Sequence, residues 1–145
     1  MNSAMTFKQL VFLTALILFG IQFIPVERTN PPVEMRSVGS DPVMKLIRRS
    51  CFDCHSNETV WPWYGKVAPF SWAFAHDVNK GRDKLNFSEW GRLPQGERDR
   101  LTAEIWKQVK SGSMPPPLYI FGNQEARVTT DHHAMLRQWC GVAPN

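Results

Sequence analysis

The sequence lacks the features that mark several large classes of protein. It has no internal repeat and no low-complexity tract, so no repeat architecture is indicated. It also lacks clusters of one charge: 17 Lys and Arg are interspersed with 13 Asp and Glu, for a net charge of +4. Because no nucleic-acid motif accompanies these residues, we expect no nucleic-acid partner. A mixed solvated surface is the first interpretation, and a basic rim that steers an acidic partner is the alternative.

Cysteine is scarce too, with three in the chain, but two of them are placed informatively. Residues 51–55 read Cys-Phe-Asp-Cys-His, and C-x-x-C-H is the spacing that attaches a c-type haem. Two thiols three residues apart lie on one side of a helical turn, where both reach the vinyl groups on one edge of a porphyrin. The motif predicts one covalent haem c per chain, attached at Cys51 and Cys54, with His55 as the proximal iron ligand.

Two other interpretations of the cysteine pair stay open. A structural zinc needs four ligands, but the chain has no second C-x-x-C, and His76, His132 and His133 complete such a site only at odd spacings. A thioredoxin-like pair needs a strand context, and no β-branched run lies nearby. With two cysteines bound to haem, Cys140 has no partner. We therefore expect a small buried apolar residue there and no intrachain disulfide.

The N-terminal segment is strongly apolar from Leu10 to Ile24, with interruptions at Thr14, Gly20 and Gln22. At about 1.5 Å per residue the run is short for a hydrocarbon core of roughly 30 Å, so a cleaved signal peptide stays open. The absence of an Ala-x-Ala signal favours an uncleaved, single-pass membrane anchor. Lys8 precedes the run and no basic cluster follows it, so we expect the chain in the inner membrane with its body on the periplasmic, exocytoplasmic side.

The pattern predicts three regions: a membrane anchor or signal segment over 1–26, an extended proline-rich linker over 27–40, and an all-α haem-binding domain over 41–145. About one hundred residues suffice for one small domain whose core the haem supplements.

The helices of this domain are indicated by caps and periodicity. Asp41 as cap and Pro42 as first helical residue predict a helix that ends at the C-x-x-C-H motif. Further helices are predicted over 71–79, ending near Gly81, over 95–110, and from about Thr130. Between them, residues 61–69 read as an aromatic loop broken by prolines, residues 86–90 as a short capped turn, and residues 113–117 as non-helical because of consecutive prolines.

Met114 is our predicted distal iron ligand. It lies in a stiff proline-rich segment, where a thioether can cross the opposite haem face without a helix in its way. Met44 and Met135 fall on apolar helix faces, where methionine usually packs in a core. Two alternatives stay open: an open iron position, and a second axial histidine. The histidines in question are His76, His132 and His133.

Two further expectations concern the surroundings of the haem. Trp72 and Trp139 are predicted as its neighbours, although most aromatic residues of a small helical domain build the core. A peptide carbonyl near Pro62 or Pro69 is expected to accept the Nδ1–H of His55, since ligating imidazoles are commonly oriented by such a bond.

Several segments together resemble the c-type haem-binding domain family of small monohaem cytochromes, over residues 30 to 140. They are Asn30-Pro31-Pro32, Cys51-x-Asp53-Cys54-His55-Ser56, Trp61-Pro62-Trp63-Tyr64, Ala68-Pro69, Asp77-Val78, Gly81-Arg82, Leu85-Asn86-Phe87-Ser88 and Met114-Pro115-Pro116. The resemblance implies a helical fold similar to class I cytochromes c, attachment at Cys51 and Cys54, proximal His55, distal Met114 and a membrane-anchoring first helix. Where relatives often have His-Pro, this chain has Asn123-Gln124, so no imidazole is offered there.

A six-coordinate His/Met haem leaves no position for a substrate, so its chemistry is exchange of one electron through the haem edge. The sequence therefore predicts an electron carrier rather than an enzyme, with redox proteins as partners and no small-molecule substrate. The alternative is a haem sensor or a peroxidase-like enzyme with an open iron, which needs Met114 displaced and a polar distal residue.

Overall fold

The computed structural model describes residues 5–33 and 42–143, and these form helices and connecting turns without a β-strand. The all-α prediction is therefore confirmed. The α-helices are α1 (Phe7–Gly20), α2 (Pro42–His55), α3 (Phe70–Lys84), α4 (Gln95–Lys110), α5 (Pro117–Gly122) and α6 (Thr130–Trp139). Short 3₁₀ turns span Ile21–Phe23, Trp63–Lys66, Phe87–Arg92 and Gln124–Ala126. Asp41 and residues 34–40 of the predicted linker lie outside the described residues.

The chain divides into two compact units, and the division passes through α3. The first unit consists of Met1–Thr29 and Trp61–Asp77, and the second of Asn30–Val60 and Val78–Asn145. The C-x-x-C-H motif, Met114 and α6 all belong to the second unit.

Helix α1 begins at a reciprocal cap. The Thr6 hydroxyl accepts a hydrogen bond from the Gln9 backbone N–H at 3.4 Å, and the Gln9 side chain accepts one from the Thr6 N–H at 2.9 Å. The predicted transmembrane helix is not supported. Helix α1 has 14 residues, a length of about 21 Å at 1.5 Å per residue. Among residues 5–33 and 42–143, no helix is both long and apolar enough to cross a bilayer.

Helix α2 carries the main apolar face of the second unit. Four of its side chains repeat at helical spacing and are buried: Val43, Met44, Leu46 and Ile47. They form one core with Phe52, which is also on α2, and with side chains from other helices and turns, namely Phe87, Val109 and Leu136. The burial of Met44 confirms its predicted role in core packing. Helix α2 packs against α6, so the motif at its C-terminal end is held by the core of the unit.

The predicted end of α3 near Gly81 is wrong, because the helix continues to Lys84. Leu85 N–H still donates to the Gly81 carbonyl at 2.9 Å. Glycine weakens a helix but does not stop it, and tertiary contacts override that preference here.

The expectation that Pro117 is non-helical is also wrong. Pro117 is the first residue of α5, a position that needs no backbone donor. Helix α4 is confirmed over Gln95–Lys110, and it ends before Gly112, which has a φ of 74°. The predicted helix from Thr130 is confirmed as well, and the side chain of Thr129 caps it.

Candidate haem site

The three motif side chains come from the last turn and a half of α2. Helical spacing places Cys51, Cys54 and His55 on neighbouring positions of one helix face. Among the described residues no disulfide involves any of the three cysteines. The structure therefore brings together both predicted thioether positions and the predicted proximal ligand.

The thiols of Cys51 and Cys140 are protonated at neutral pH. Burial, with smaller contributions from the Cys54 and Cys140 thiols, raises the pKa of Cys51 to about 12. Burial likewise raises the pKa of Cys140 to about 11. Cys51 also packs against the core of the second unit. Cys140 is half-buried at the C-terminal cap of α6.

His55 is oriented by the C-terminal end of α3. Its Nδ1 lies 3.0 Å from the Gly81 carbonyl oxygen and 3.1 Å from that of Leu85. Because both neighbours are acceptors, Nδ1 carries the proton and Nε2 has the lone pair. The prediction of an acceptor near Pro62 or Pro69 is wrong. The end of a helix offers carbonyls with spare acceptor capacity, and the Gly81 oxygen, which already accepts the Leu85 N–H, has a second lone pair for the ring.

Burial lowers the pKa of His55, and the two carbonyl contacts oppose that effect more weakly. The imidazole is therefore neutral at pH 7, the form that binds a metal. A neutral ring with its protonated nitrogen engaged and Nε2 available fits a proximal haem ligand. The donor set of two thiols and this imidazole thus fits a haem.

Gly81 allows α3 to approach the motif closely. A Cβ atom built on Gly81 would collide with the Cys54 carbonyl oxygen and would lie 3.2 Å from the Cys54 Cβ. Both obstacles belong to the motif helix rather than to a flexible side-chain end. Only glycine fits this approach, which also sets the distance between the Gly81 carbonyl and His55.

We expect Gly81→Ala to displace α3 from the motif. The added methyl group should cost about 1–3 kcal/mol by overpacking, more than the roughly 1 kcal/mol that alanine gains within a helix. The yield of haem-loaded protein and the Tm should both fall. Gly96→Ala is the control, because a Cβ there meets nothing within 4 Å. Equal haem yield and Tm in the two variants would refute the close-approach argument.

The residues after the motif are fastened by polar side chains of the second unit. Ser56 Oγ donates to the Phe52 carbonyl at 2.8 Å. The Asn57 N–H donates to Ser88 Oγ at 2.9 Å, and Asn86 Nδ2 donates to Asn57 Oδ1 at 2.9 Å. Since these groups are buried or half-buried, their bonds are costly to break. They fix the direction in which the chain leaves His55.

Arg82 strengthens the same region. Its Nε donates to the Ser56 carbonyl at 2.8 Å, and its Nη2 donates to Thr59 Oγ1 at 2.8 Å and to Asn30 Oδ1 at 2.9 Å. Burial lowers the pKa of this guanidinium, although arginine stays charged in proteins. Arg82, which follows Gly81 directly, therefore connects α3 to the segment that follows the motif.

Met114 lies on the turn between α4 and α5, with 38% of its surface exposed. Its N–H donates to the Gln108 carbonyl at 3.2 Å, which fixes the turn to the end of α4. Met114 is thus on a different element from the other three predicted site residues.

A hydrogen bond joins the helix after Met114 to the motif itself. Tyr119 on α5 donates its hydroxyl proton to Asp53 Oδ2 at 2.7 Å, and Asn123 Nδ2 donates to the Tyr119 oxygen at 2.9 Å. The second oxygen of Asp53 accepts the Val60 N–H at 3.0 Å. Burial, followed by the bond to Asp53, raises the pKa of Tyr119 well above its ordinary value, so the hydroxyl remains a donor.

We expect Tyr119→Phe to weaken the link between the methionine turn and the motif. A hydrogen bond to a charged group contributes about 1.5–3 kcal/mol. The free energy of unfolding should decrease by an amount in that range. In a double-mutant cycle with Asp53→Asn, the two losses should be non-additive by about 1 kcal/mol. Strictly additive losses would show that the pair contributes no coupling.

Trp72 and Trp139 stay predicted haem neighbours, and their surroundings in the two units differ. Trp139 packs against the core, with its ring 5.8 Å from that of Trp90. Trp72 belongs to the first unit, and its buried Nε1–H has no hydrogen-bond partner within the described ranges. Met135 packs against the core, as predicted.

The three remaining histidines have separate surroundings. His76 is exposed, His132 receives the Thr129 N–H at 3.1 Å, and the ring of His133 lies 6.1 Å from that of Trp106. In the part of the chain that the structure describes, no group of three or more His, Cys, Asp or Glu side chains is arranged to hold a metal ion.

The sequence prediction overlooked the residues that position the site. Gly81 was interpreted as a helix end and residues 86–90 as a capped turn, and Arg82 was noted only within the family resemblance. None of them was predicted to position the motif, and the role of Tyr119 was missed. Their partners are 23 to 66 residues away in the chain, and no local spacing encodes such contacts. The one local signal was the proline run, which indicated a fixed turn before Tyr119.

The fold and the donor set define an all-α haem protein with a C-x-x-C-H motif. A family model described as a haem-binding domain matches residues 16–141, and the chain therefore belongs to the haem-binding domain family. No curated protein and no solved structure matches it significantly. The family membership confirms the predicted resemblance and identifies haem as the bound group.

Proposed function

We propose that this chain is a monohaem c-type cytochrome that carries single electrons between redox proteins on the exocytoplasmic side of a membrane. The observation that carries the proposal is the end of α2, where two thiol positions accompany an imidazole whose Nδ1 is held by the Gly81 and Leu85 carbonyls. A bound haem would supply one-electron exchange between ferric and ferrous iron.

In this proposal each residue has a defined task. Cys51 and Cys54 would hold the haem through thioether bonds, and Nε2 of His55 would bind its iron. The two carbonyl contacts keep the imidazole ring from rotating, so Nε2 would be presented to a bound haem in one orientation. Met114 would supply the second protein ligand, and the Tyr119–Asp53 bond limits the movement of the helix that follows its turn.

The proposed location depends on the N-terminal segment. Helix α1 has no buried residue and exposes apolar side chains along its length. Such a surface is unfavourable in water, and a membrane is the environment in which it is stable. We propose that this segment directs the chain to the membrane, with the haem-binding residues on the exocytoplasmic side.

Carbon monoxide separates a carrier from a protein with an open iron. If both axial positions of the iron are filled, carbon monoxide cannot bind, and the visible spectrum of the reduced protein should not change when the gas is added. The oxidised protein should show the weak long-wavelength charge-transfer band of methionine ligation. Rapid carbon monoxide binding together with absence of that band would instead indicate a sensor or a peroxidase-like enzyme.

A further inference from the structure

The first unit contains a second surface with the composition of a membrane interface. Residues 61–70, here called the aromatic loop, include a 3₁₀ turn over Trp63–Lys66 and the first residue of α3, Phe70. Trp63 is 77% exposed and Phe70 is 54% exposed. Lys66 is exposed between them. Exposed apolar side chains of this size mark interaction surfaces when they occur close together.

The loop is rigid on its inner side. The Phe74 ring makes edge contacts with Trp61 and Tyr64, with ring centroids 5.7 and 5.8 Å apart. A Cβ on Gly65 would lie 3.2 Å from Phe74. These contacts use the inward aromatic groups and leave Trp63 and Phe70 on the outside. The exposed pair is therefore displayed by a packed structure rather than by a loose chain.

Gln22 fastens this loop to the end of the apolar helix. Its Nε2 donates to the Ala68 carbonyl at 3.1 Å, and its Oε1 accepts the Ala68 N–H at 3.0 Å. Arg28 adds a bond of 3.4 Å to the Gly65 carbonyl. The polar interruption of the apolar run at Gln22 thus has a structural task, since its amide is satisfied by the loop backbone.

The position of the Gln22–Ala68 hydrogen bonds indicates what the aromatic loop contacts. Gln22 lies in the turn that follows α1, close to the end of the apolar run at Ile24. The end of a membrane-inserted apolar segment is at the level of the lipid headgroups. Tryptophan and tyrosine are enriched there, and lysine is attracted to anionic lipids. A bilayer interface can accommodate both the exposed aromatic side chains of the loop and the charge of Lys66.

We propose that the aromatic loop is a membrane-interface contact, in which Trp63 and Phe70 insert among lipid headgroups while Gln22 holds the loop at the end of the apolar segment. This inference rests on the membrane location proposed above. It adds a second point of attachment beside the apolar helix, and two points of attachment restrict the tilt of the first unit on the membrane.

Photocrosslinking on the full-length holoprotein tests this contact. The protein is reconstituted in vesicles of equal parts phosphatidylcholine and phosphatidylglycerol. Benzoylphenylalanine replaces one aromatic residue at a time, and lipid adducts are detected by mass. Phe12 in α1 reports on helix insertion, whereas Trp63 and Phe70 report on the loop. Phe121 is the matched control, because it is 84% exposed but belongs to the second unit.

We expect lipid adducts at positions 12, 63 and 70, with severalfold lower yield at position 121. Gln22→Ala should lower the yields at 63 and 70 and preserve the yield at 12. Adducts at 12 without adducts at 63 and 70 would overturn the loop contact and leave the membrane location intact. Absence of adducts at all four positions would overturn both proposals. Equal yields at 63, 70 and 121 would also overturn the loop contact, because they would reflect exposure alone.

Discussion

Cys51→Ala and Cys54→Ala should each reduce the yield of covalently haem-loaded protein to a small fraction of the wild-type yield. Each substitution removes one of the two proposed thioether positions at the end of α2. The effect on the fold should be large too, because the haem supplements the core of a small domain. Haem staining after denaturing electrophoresis, compared with total protein, measures the loss.

Cys140→Ala is the matched control for these variants. The Cys140 thiol is protonated and half-buried at the end of α6, and the proposal gives it no bond to haem. Haem staining in this variant should equal that of the wild type. Loss of staining in Cys140→Ala alone, with normal staining in the other two, would contradict the assignment of the attachment sites.

Met114→Ala should open the iron to external ligands. With the thioether removed, the long-wavelength ferric band should disappear, and the reduced protein should bind carbon monoxide. Met114→His should keep six-fold coordination but lower the reduction potential, since a thioether favours ferrous iron more than an imidazole does. Axial ligation sets haem potentials over about 0.8 V, so we expect a decrease on the order of 0.1 V.

Met135→Leu is the control for the methionine experiment. Met135 packs against the core, and leucine is a volume-conserving replacement there. Its spectrum and potential should match those of the wild type. If Met114→Ala leaves both spectrum and carbon monoxide response unchanged, Met114 is not the distal ligand.

The helical class and most helix positions were predictable because their signals are local. The apolar spacing from Val43 to Ile47 and the helix over Gln95–Lys110 with its glycine terminator follow from periodicity and capping. The C-x-x-C-H motif is also local, so its three side chains were placed on one helix end correctly. A motif of five consecutive residues can be recognised without a structure.

The errors arose where long-range contacts decide. Gly81 was expected to mark a helix end because glycine has a low helix propensity. In the structure, glycine is required at this position because a Cβ would collide with Cys54. The acceptors of His55 were sought beside prolines, and they belong to the end of α3, 26 and 30 residues away. The transmembrane prediction used the apolar character of residues 10–24 and the absence of a cleavage signal, whereas the regular helix stops at Gly20. Sequence periodicity contains no information on which distant elements meet.

Acid–acetone extraction of the purified protein, followed by a pyridine haemochrome spectrum of both fractions, tests the central claim most directly. Covalent attachment at Cys51 and Cys54 predicts that the colour stays with the polypeptide and that its spectrum is that of a haem with saturated side chains. Haem recovered in the solvent, with a colourless polypeptide, would contradict a c-type cytochrome.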